Sequence, residues 1–440
     1  MGSMIQKIHG RDLKGCPDVL CLEKPEVITQ IHEAYLEAGA DIISTCSFSA
    51  NAVSLADYGL AEKAYEISKA AGELARKAAD TYSKPDKKRF AAGSMGPTSK
   101  SGSICQDIND PEKRSITWDE LETAYYDNAR GLLDGGADLL LLETIFDTLN
   151  AKAAIAAVLR LREERNADIP LIISASVDNE GGRLLSGQNL EAFVVSVSHA
   201  EPFAIGLNCS FGAEKILPHL SALSSFSPFP ISCYPNAGFP DVSGTYSEGP
   251  EQTARIMKQF FEQGLVNIVG GCCGTTPDHI AAIAGLAKKY PPRSLLLREK
   301  PVQNFLSGLE VFPLPHGTGE SKETCDHKLS ALIKNNKMED AVDHLSEMIE
   351  TGADSIKIYL GDELSSEKEK VVRFINTALF DPAIARAPIM LESADWEILE
   401  AALKCIQGKS LVKISLEKGD DNFHRFAALI RRYGAELVVK

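Results

Sequence analysis

Two adjacent cysteines, Cys272 and Cys273, lie between Gly270-Gly271 and Gly274, directly after a short apolar run, Val266-Asn267-Ile268-Val269. A helix is expected to begin at Thr276-Pro277-Asp278, with Thr as N-cap and Pro at the first helical position. Successive side chains on a strand point to opposite faces, so both thiols can address one target only where the strand breaks. The flanking glycines permit that break. Thiols at the carboxyl end of a buried strand, just before a helix, suit a metal or a nucleophile. The pair alone leaves two other readings open: small buried hydrophobes, or a vicinal disulfide.

A third thiol narrows the choice. The run Ile205-Gly206-Leu207-Asn208-Cys209-Ser210 is an apolar strand ending in Asn-Cys, two strands before the cysteine pair. In a closed barrel these two strands end on one rim, so Cys209, Cys272 and Cys273 can converge. Three thiolates suit Zn²⁺, and three protein ligands rather than four is the pattern of a catalytic zinc. No Cys-x-x-Cys occurs, which argues against a structural zinc finger. Three thiolates leave the site negative, a poor activator of water. An incoming thiol still loses its proton on binding a metal and stays electron-rich there. The chemistry therefore favours thiol alkylation over hydrolysis.

The elements that must position these groups follow a repeated pattern of helix, glycine and apolar strand. Examples are Leu36-Glu37-Ala38-Gly39-Ala40-Asp41-Ile42-Ile43 and Asp134-Gly135-Gly136-Ala137-Asp138-Leu139-Leu140. The glycine ends the helix, and the apolar run reads as a buried parallel strand. Seven such strands are expected, at 41–48, 89–96, 138–144, 171–177, 204–209, 231–235 and 266–271. No Gly-x-Gly-x-x-Gly follows the first of them, which disfavours a doubly wound sheet. Cys46, Ser94, Glu143, Ser176 and Asn236 join the thiols at strand ends, as on the catalytic face of a barrel. The fold class expected is α/β: a (β/α)8 TIM-type barrel lacking its first strand, which should precede residue 1, followed by a partial second (β/α) barrel. Residues 1–290 form the first domain, 291–325 a Pro-rich linker, and 326–440 the second domain, with strands at 355–360, 388–391, 411–416 and 436–439.

Composition agrees with small-molecule chemistry. The net charge of −15 disfavours a nucleic-acid surface. No apolar run reaches the roughly 20 residues of a membrane span, and no signal peptide opens the chain. Ten scattered cysteines in a chain with cytoplasmic features point to metal or catalysis rather than a disulfide framework.

At this level of detail the residues match a family. Segments 205–211, Pro235-Asn236-Ala237-Gly238 and 269–277 resemble the zinc-dependent homocysteine methyltransferases. The longer runs 141–154 and 267–276 look like the cobalamin-dependent methionine synthase branch. The resemblance implies a first barrel that binds zinc and homocysteine and a second that binds methyltetrahydrofolate, with methylcobalamin on a separate protein or further domain. Carried over, Cys209, Cys272 and Cys273 are the zinc ligands. Glu143 holds the homocysteine amino group, unless it is a solvated rim carboxylate. Asn236 lies near the metal's open position, unless it only forms a turn. The family's first strand ends in Asp-Gly-x-Met-Gly-Thr, and Met1-Gly2-Ser3-Met4 looks like the tail of that motif, or else a tag remnant. Gly2 and Ser3 would then face the substrate's amino-acid end. With the strand and its Asp absent, residues 1–20 should be poorly ordered or displaced, and homocysteine affinity weak.

Two departures stand out. Cys46 replaces an Asn in an otherwise similar Ser44-Thr45-Cys46-Ser47-Phe48. In the second domain, the family's Gly-Glu-Arg-x-Asn reads Gly319-Glu320-Ser321-Lys322-Glu323, its Asp-x-Asn strand end reads Lys357-Ile358-Tyr359-Leu360, and its Asp-Ser-Ser reads Glu392-Ser393-Ala394. Folate binding is therefore not expected. The function expected is methyl transfer to the homocysteine thiol, giving methionine, with methylcobalamin as donor. The alternatives are betaine or S-methylmethionine as donor, or a non-catalytic zinc- or thiol-binding remnant.

Overall fold

The computed structural model describes all residues except 10–14, 178–180, 243, 296–301, 315–326, 352–354, 415–420 and 440. The stretch 319–323 and much of the expected linker lie outside the described residues. Seven parallel strands form one sheet in chain order: β1 (Ile42–Ser44), β2 (Phe90–Met95), β3 (Leu139–Ile145), β4 (Leu171–Ala175), β5 (Ala204–Gly212), β6 (Ile231–Asn236) and β7 (Ile268–Val269). All seven stand where buried apolar runs placed them, because parallel strands covered by helices must be apolar on both faces.

The sheet curls. Ala92, Leu139, Leu141, Ile172 and Ala204 form one interior cluster, which Ile42 of β1 and Ile268 of β7 also join. Strands at opposite ends of the sheet can share a cluster only around a barrel interior. β1 and β7 are not paired to each other. Outside this slot the helices still meet, with Pro25–Glu37 packed on Pro277–Ala287. Tyr35 OH also donates to Thr275 O at 2.8 Å across it.

Residues 1–9 depart from the displacement expected of 1–20. Gly2–His9 is a helix that buries Ile5 against Leu20, Ile28 and Ile31. Ser3 Oγ accepts a hydrogen bond from Gly274 N at 2.9 Å. Apolar packing of Ile5, with Met1 and Met4 beside it, and one satisfied amide hold the segment against the rim.

Four further parallel strands form a second sheet: β10 (Ile356–Tyr359), β11 (Ile389–Glu392), β12 (Leu411–Ile414) and β13 (Glu436–Val439). Between the sheets, within the stretch read as linker, β8 (Phe305–Ser307) and β9 (Val311–Pro313) pair as an antiparallel hairpin. It forms because Leu306 packs on Met390 and Leu411, covering the end of the second sheet.

The two parts share a polar seam. Lys152, fully buried on the helix Thr148–Arg165, donates through Nζ to Ile406 O at 2.9 Å and Gly408 O at 3.0 Å. Gln188, also fully buried, donates through Nε2 to Gly308 O at 2.7 Å. Burial pushes the Lys152 amine from 10.5 down to about 7. Between those values the unfolded chain holds a proton that the folded chain does not. The penalty is therefore full below pH 7 and fades as pH rises toward 10.5. Removing the amine by Lys152→Met should flatten this slope. Relative to the variant, the parent should gain about 2 kcal/mol between roughly pH 7 and pH 9, measured by urea unfolding at each pH. Parallel curves would show that Lys152 is not the titrating group.

Candidate metal centre

The broken strand after β7 is built by its glycines and by β6. Cys272 N donates to Pro235 O at 2.8 Å and Ala237 N donates to Cys273 O at 2.9 Å, so the segment stays paired to β6 while it turns. A Cβ on Gly271 would stand 2.2 Å from Thr275 Cγ2. Gly274 has φ +78° and lies against the Tyr246 ring, where a Cβ would meet Cγ at 2.2 Å. Only glycine satisfies both positions. Asn236 Oδ1 accepts from Cys273 N at 3.1 Å, so this side chain holds the thiol loop in shape. Thr276 caps the helix Pro277–Ala287 as expected.

The sulfur atoms of Cys209, Cys272 and Cys273 all lie within 4.8 Å of one another, the only such group among the described residues. Cys209 Sγ is 3.9 Å from Cys273 Sγ. The three thiols share protons unevenly. Hydrogen bonds from Cys209 and Cys272 push the Cys273 thiol far down, whereas Cys272 is pushed well up by its bonds to Cys209 and Cys273 and by burial. Three sulfur donors gathered in one place are the right set for a thiophilic cation.

β5 reaches this cluster through a second backbone break, which is absent from the sequence reading. Cys209 and Ser210 both have φ +58°, and the pairing with β6 shifts register between Cys209 and Gly212. Ser210 Oγ accepts from Val177 N at 2.8 Å and lies 2.9 Å from Ser176 Oγ, fixing the bulge. The break lets neighbours Asn208 and Cys209 both serve the site. β3 repeats the device: Thr144 has φ +58°, with a register shift between Leu142 and Ile145. Left-handed backbone at non-glycine residues costs roughly 1–3 kcal/mol each and persists where the surroundings over-determine it.

Glu143 stands on that bulge, 8% exposed, and accepts a hydrogen bond from Ser94 Oγ. Burial raises its pKa, and the Ser94 bond opposes the rise. It is not a solvated rim carboxylate, and the charge of the chain's N-terminal ammonium also opposes the cost of burying it. The Tyr234 hydroxyl is buried near Glu143, without a hydrogen bond of normal geometry among the described residues. Burial, then the Glu143 charge, raises its pKa. Ser3 touches the thiol loop at Gly274, and Gly2 is exposed beside it. Cys46 lies apart, donating to Asp18 Oδ1 at 3.6 Å.

On the second sheet, Lys357 Nζ is 2.8 Å and Lys413 Nζ 3.9 Å from the Glu392 carboxylate at the carboxyl rim. Both ammonium groups approach the same carboxylate oxygen, Oε2, as ion pairs.

A curled parallel sheet thus carries three clustered thiols at its carboxyl rim. Residues 1–287 match the homocysteine S-methyltransferase family, and the chain belongs to that family. It is a methyltransferase. Residues 323–440 match the pterin-binding enzymes. The chain is similar to the homocysteine methyltransferase MmuM of Escherichia coli. The oxidised form is 26% identical with TM-score 0.51, over 64% of this chain and 93% of that one. The metallated form is 25% identical with TM-score 0.51, over the same shares.

Among the described residues, no helix is long and apolar enough to cross a membrane.

Sequence reasoning missed Asn208, Thr144 and Tyr234. An Asn directly after the apolar run Ile205-Gly206-Leu207 was the available signal, because a buried amide must be fully bonded.

Proposed function

We propose that this chain transfers a methyl group to the thiol of homocysteine, yielding methionine, with Zn²⁺ held by Cys209, Cys272 and Cys273. The observation that carries the reading is the convergence of three thiols from two strands within 4.8 Å, on backbone that is irregular at both strand ends. A bound zinc ion would supply Lewis acidity that lets the incoming thiol lose its proton near neutral pH. The chain's own groups do the rest. Asn236 fixes the loop that carries Cys272 and Cys273. Glu143, oriented by Ser94, takes the substrate's ammonium group as its ionic partner, in a place already under the charge of the chain's own N-terminal ammonium. Ser3, beside Gly2, lies near the amino-acid end.

For the donor we propose methylcobalamin carried on a separate protein or domain. The pterin-family match of 323–440 and the resemblance to cobalamin-dependent methionine synthases support it. Methyltetrahydrofolate is not the donor in this reading. A pterin's amino groups need a carboxylate acceptor, and Lys357 at 2.8 Å and Lys413 at 3.9 Å from Glu392 Oε2 compete for the carboxylate at the rim of the second sheet. That competition favours, as second reading, a small onium donor such as betaine or S-methylmethionine.

The experiment is methyl transfer by zinc-loaded protein from methylcobalamin, betaine and S-methylmethionine, with proton release on adding homocysteine followed in parallel. We expect about one Zn²⁺ per chain, proton release on homocysteine binding, and turnover with methylcobalamin. Turnover only with an onium compound overturns the donor. No zinc and no proton release overturns the metal reading.

A further inference from the structure

Asn208 sits at the centre of the site but touches neither solvent nor any group with an assigned role in binding substrate. It is fully buried. Its Oδ1 accepts from Thr144 N at 2.9 Å and from Ser174 Oγ at 2.7 Å. Its Nδ2 donates to Thr144 Oγ1 at 2.7 Å and to Cys272 Sγ at 3.9 Å. A side-chain amide has two donors and two acceptor sites, and all four are used. The orientation is fixed, because a backbone N–H such as that of Thr144 can face only the oxygen.

We propose that Asn208 is a positioning residue that joins the two halves of the site: it locks the bulge that aims Glu143 and donates a hydrogen bond to the Cys272 sulfur. The first half follows from strain. Thr144, adjacent to Glu143, keeps φ +58° only because something holds it, and Asn208 grips both its amide and its hydroxyl. The second half follows from charge. Three gathered thiolates repel one another, and an N–H donor at sulfur offsets part of that charge and fixes the ligand's direction. Because Asn208 precedes Cys209, β5 supplies one thiol and the amide that steadies another from beyond β7. This inference rests on the metal reading above.

The test substitutes cobalt(II) for zinc and compares the parent with Asn208→Asp. Aspartate keeps the oxygen for Thr144 N and Ser174 but has no N–H for sulfur. The expected result is a loss of cobalt affinity of about 10–100-fold, the usual effect of removing a partner behind a metal ligand. The sulfur-to-cobalt charge-transfer band should move to lower energy, since Cys272 becomes more electron-rich. Should the buried carboxylate prevent folding, Asn208→Ser, neutral and too short to reach the sulfur, is expected to shift the band the same way. Thr144→Gly should leave the band in place while raising the KM for homocysteine. Parent affinity and an unshifted band in a folded Asn208 variant overturn the proposal while leaving the metal reading intact. A parent protein that takes up no cobalt overturns both.

Discussion

A Cys209→Ala chain is expected to lose its metal and, with it, all methyl transfer to homocysteine. Cys209 is the only ligand of the proposed set that comes from β5, and its sulfur lies 3.9 Å from that of Cys273. Its removal leaves two neighbouring thiols on one loop, too few for a four-coordinate ion that also needs room for substrate. Loss of a partner behind the ligands costs about 10–100-fold in affinity, so loss of a ligand should exceed that range. Competition with a chromogenic chelator measures it. Cys272→Ala and Cys273→Ala should behave alike. Cys233→Ala is the control: this thiol is fully buried on β6, in the core outside the barrel interior, and zinc content should not change. Full zinc retention in Cys209→Ala would falsify the three-thiolate assignment.

The parts of the molecule that were legible in the sequence are those governed by burial. Parallel strands packed on both faces leave apolar runs, so β1 to β7 and the convergence of Cys209 with Cys272 and Cys273 could be read directly. The glycines around the pair announced the break after β7. The breaks at Thr144 and at Cys209-Ser210 gave no such notice, because a left-handed threonine, cysteine or serine is held by its partners and not by its own preference. Asn208, the partner at Thr144, looked like an ordinary strand residue. Lys152 was hidden for the opposite reason. A lysine among alanines in 151–157 suggests a solvated helix face, and only the Ile406 and Gly408 carbonyls of the second part make it an interior residue. The hairpin at 305–313 is short and bounded by proline, so its strands carried too little periodicity to separate from a linker.

Replacing Glu143 with glutamine should separate binding from stability in opposite directions. Glutamine keeps the shape and the acceptor for Ser94 Oγ, and it removes the charge. If Glu143 holds the homocysteine ammonium, the ligand loses a buried ionic partner. Truncation of such a pair costs about 2–5 kcal/mol, at least about 30-fold in affinity. The free protein should respond the other way. Burial raises the Glu143 pKa above its ordinary 4.5. Between those two values the folded chain binds a proton that the unfolded chain has released. Stability from this group is thus complete below pH 4.5 and is lost as pH rises through the folded value. Glutamine does not titrate and escapes that loss. Without substrate, the variant's unfolding midpoint should rise relative to the parent as pH goes from about 5 to about 8, by an amount set by the shift. With homocysteine at a concentration that saturates the parent the order should reverse, because the parent gains more of the ligand's stabilisation, RT ln(1 + [L]/Kd), than the weaker-binding variant. Calorimetric titration and thermal unfolding at several pH values measure both effects on one pair of proteins. A variant that binds homocysteine like the parent, with no pH-dependent gain when free, would leave Glu143 as a buried carboxylate satisfied by Ser94 and the chain's own N-terminal ammonium.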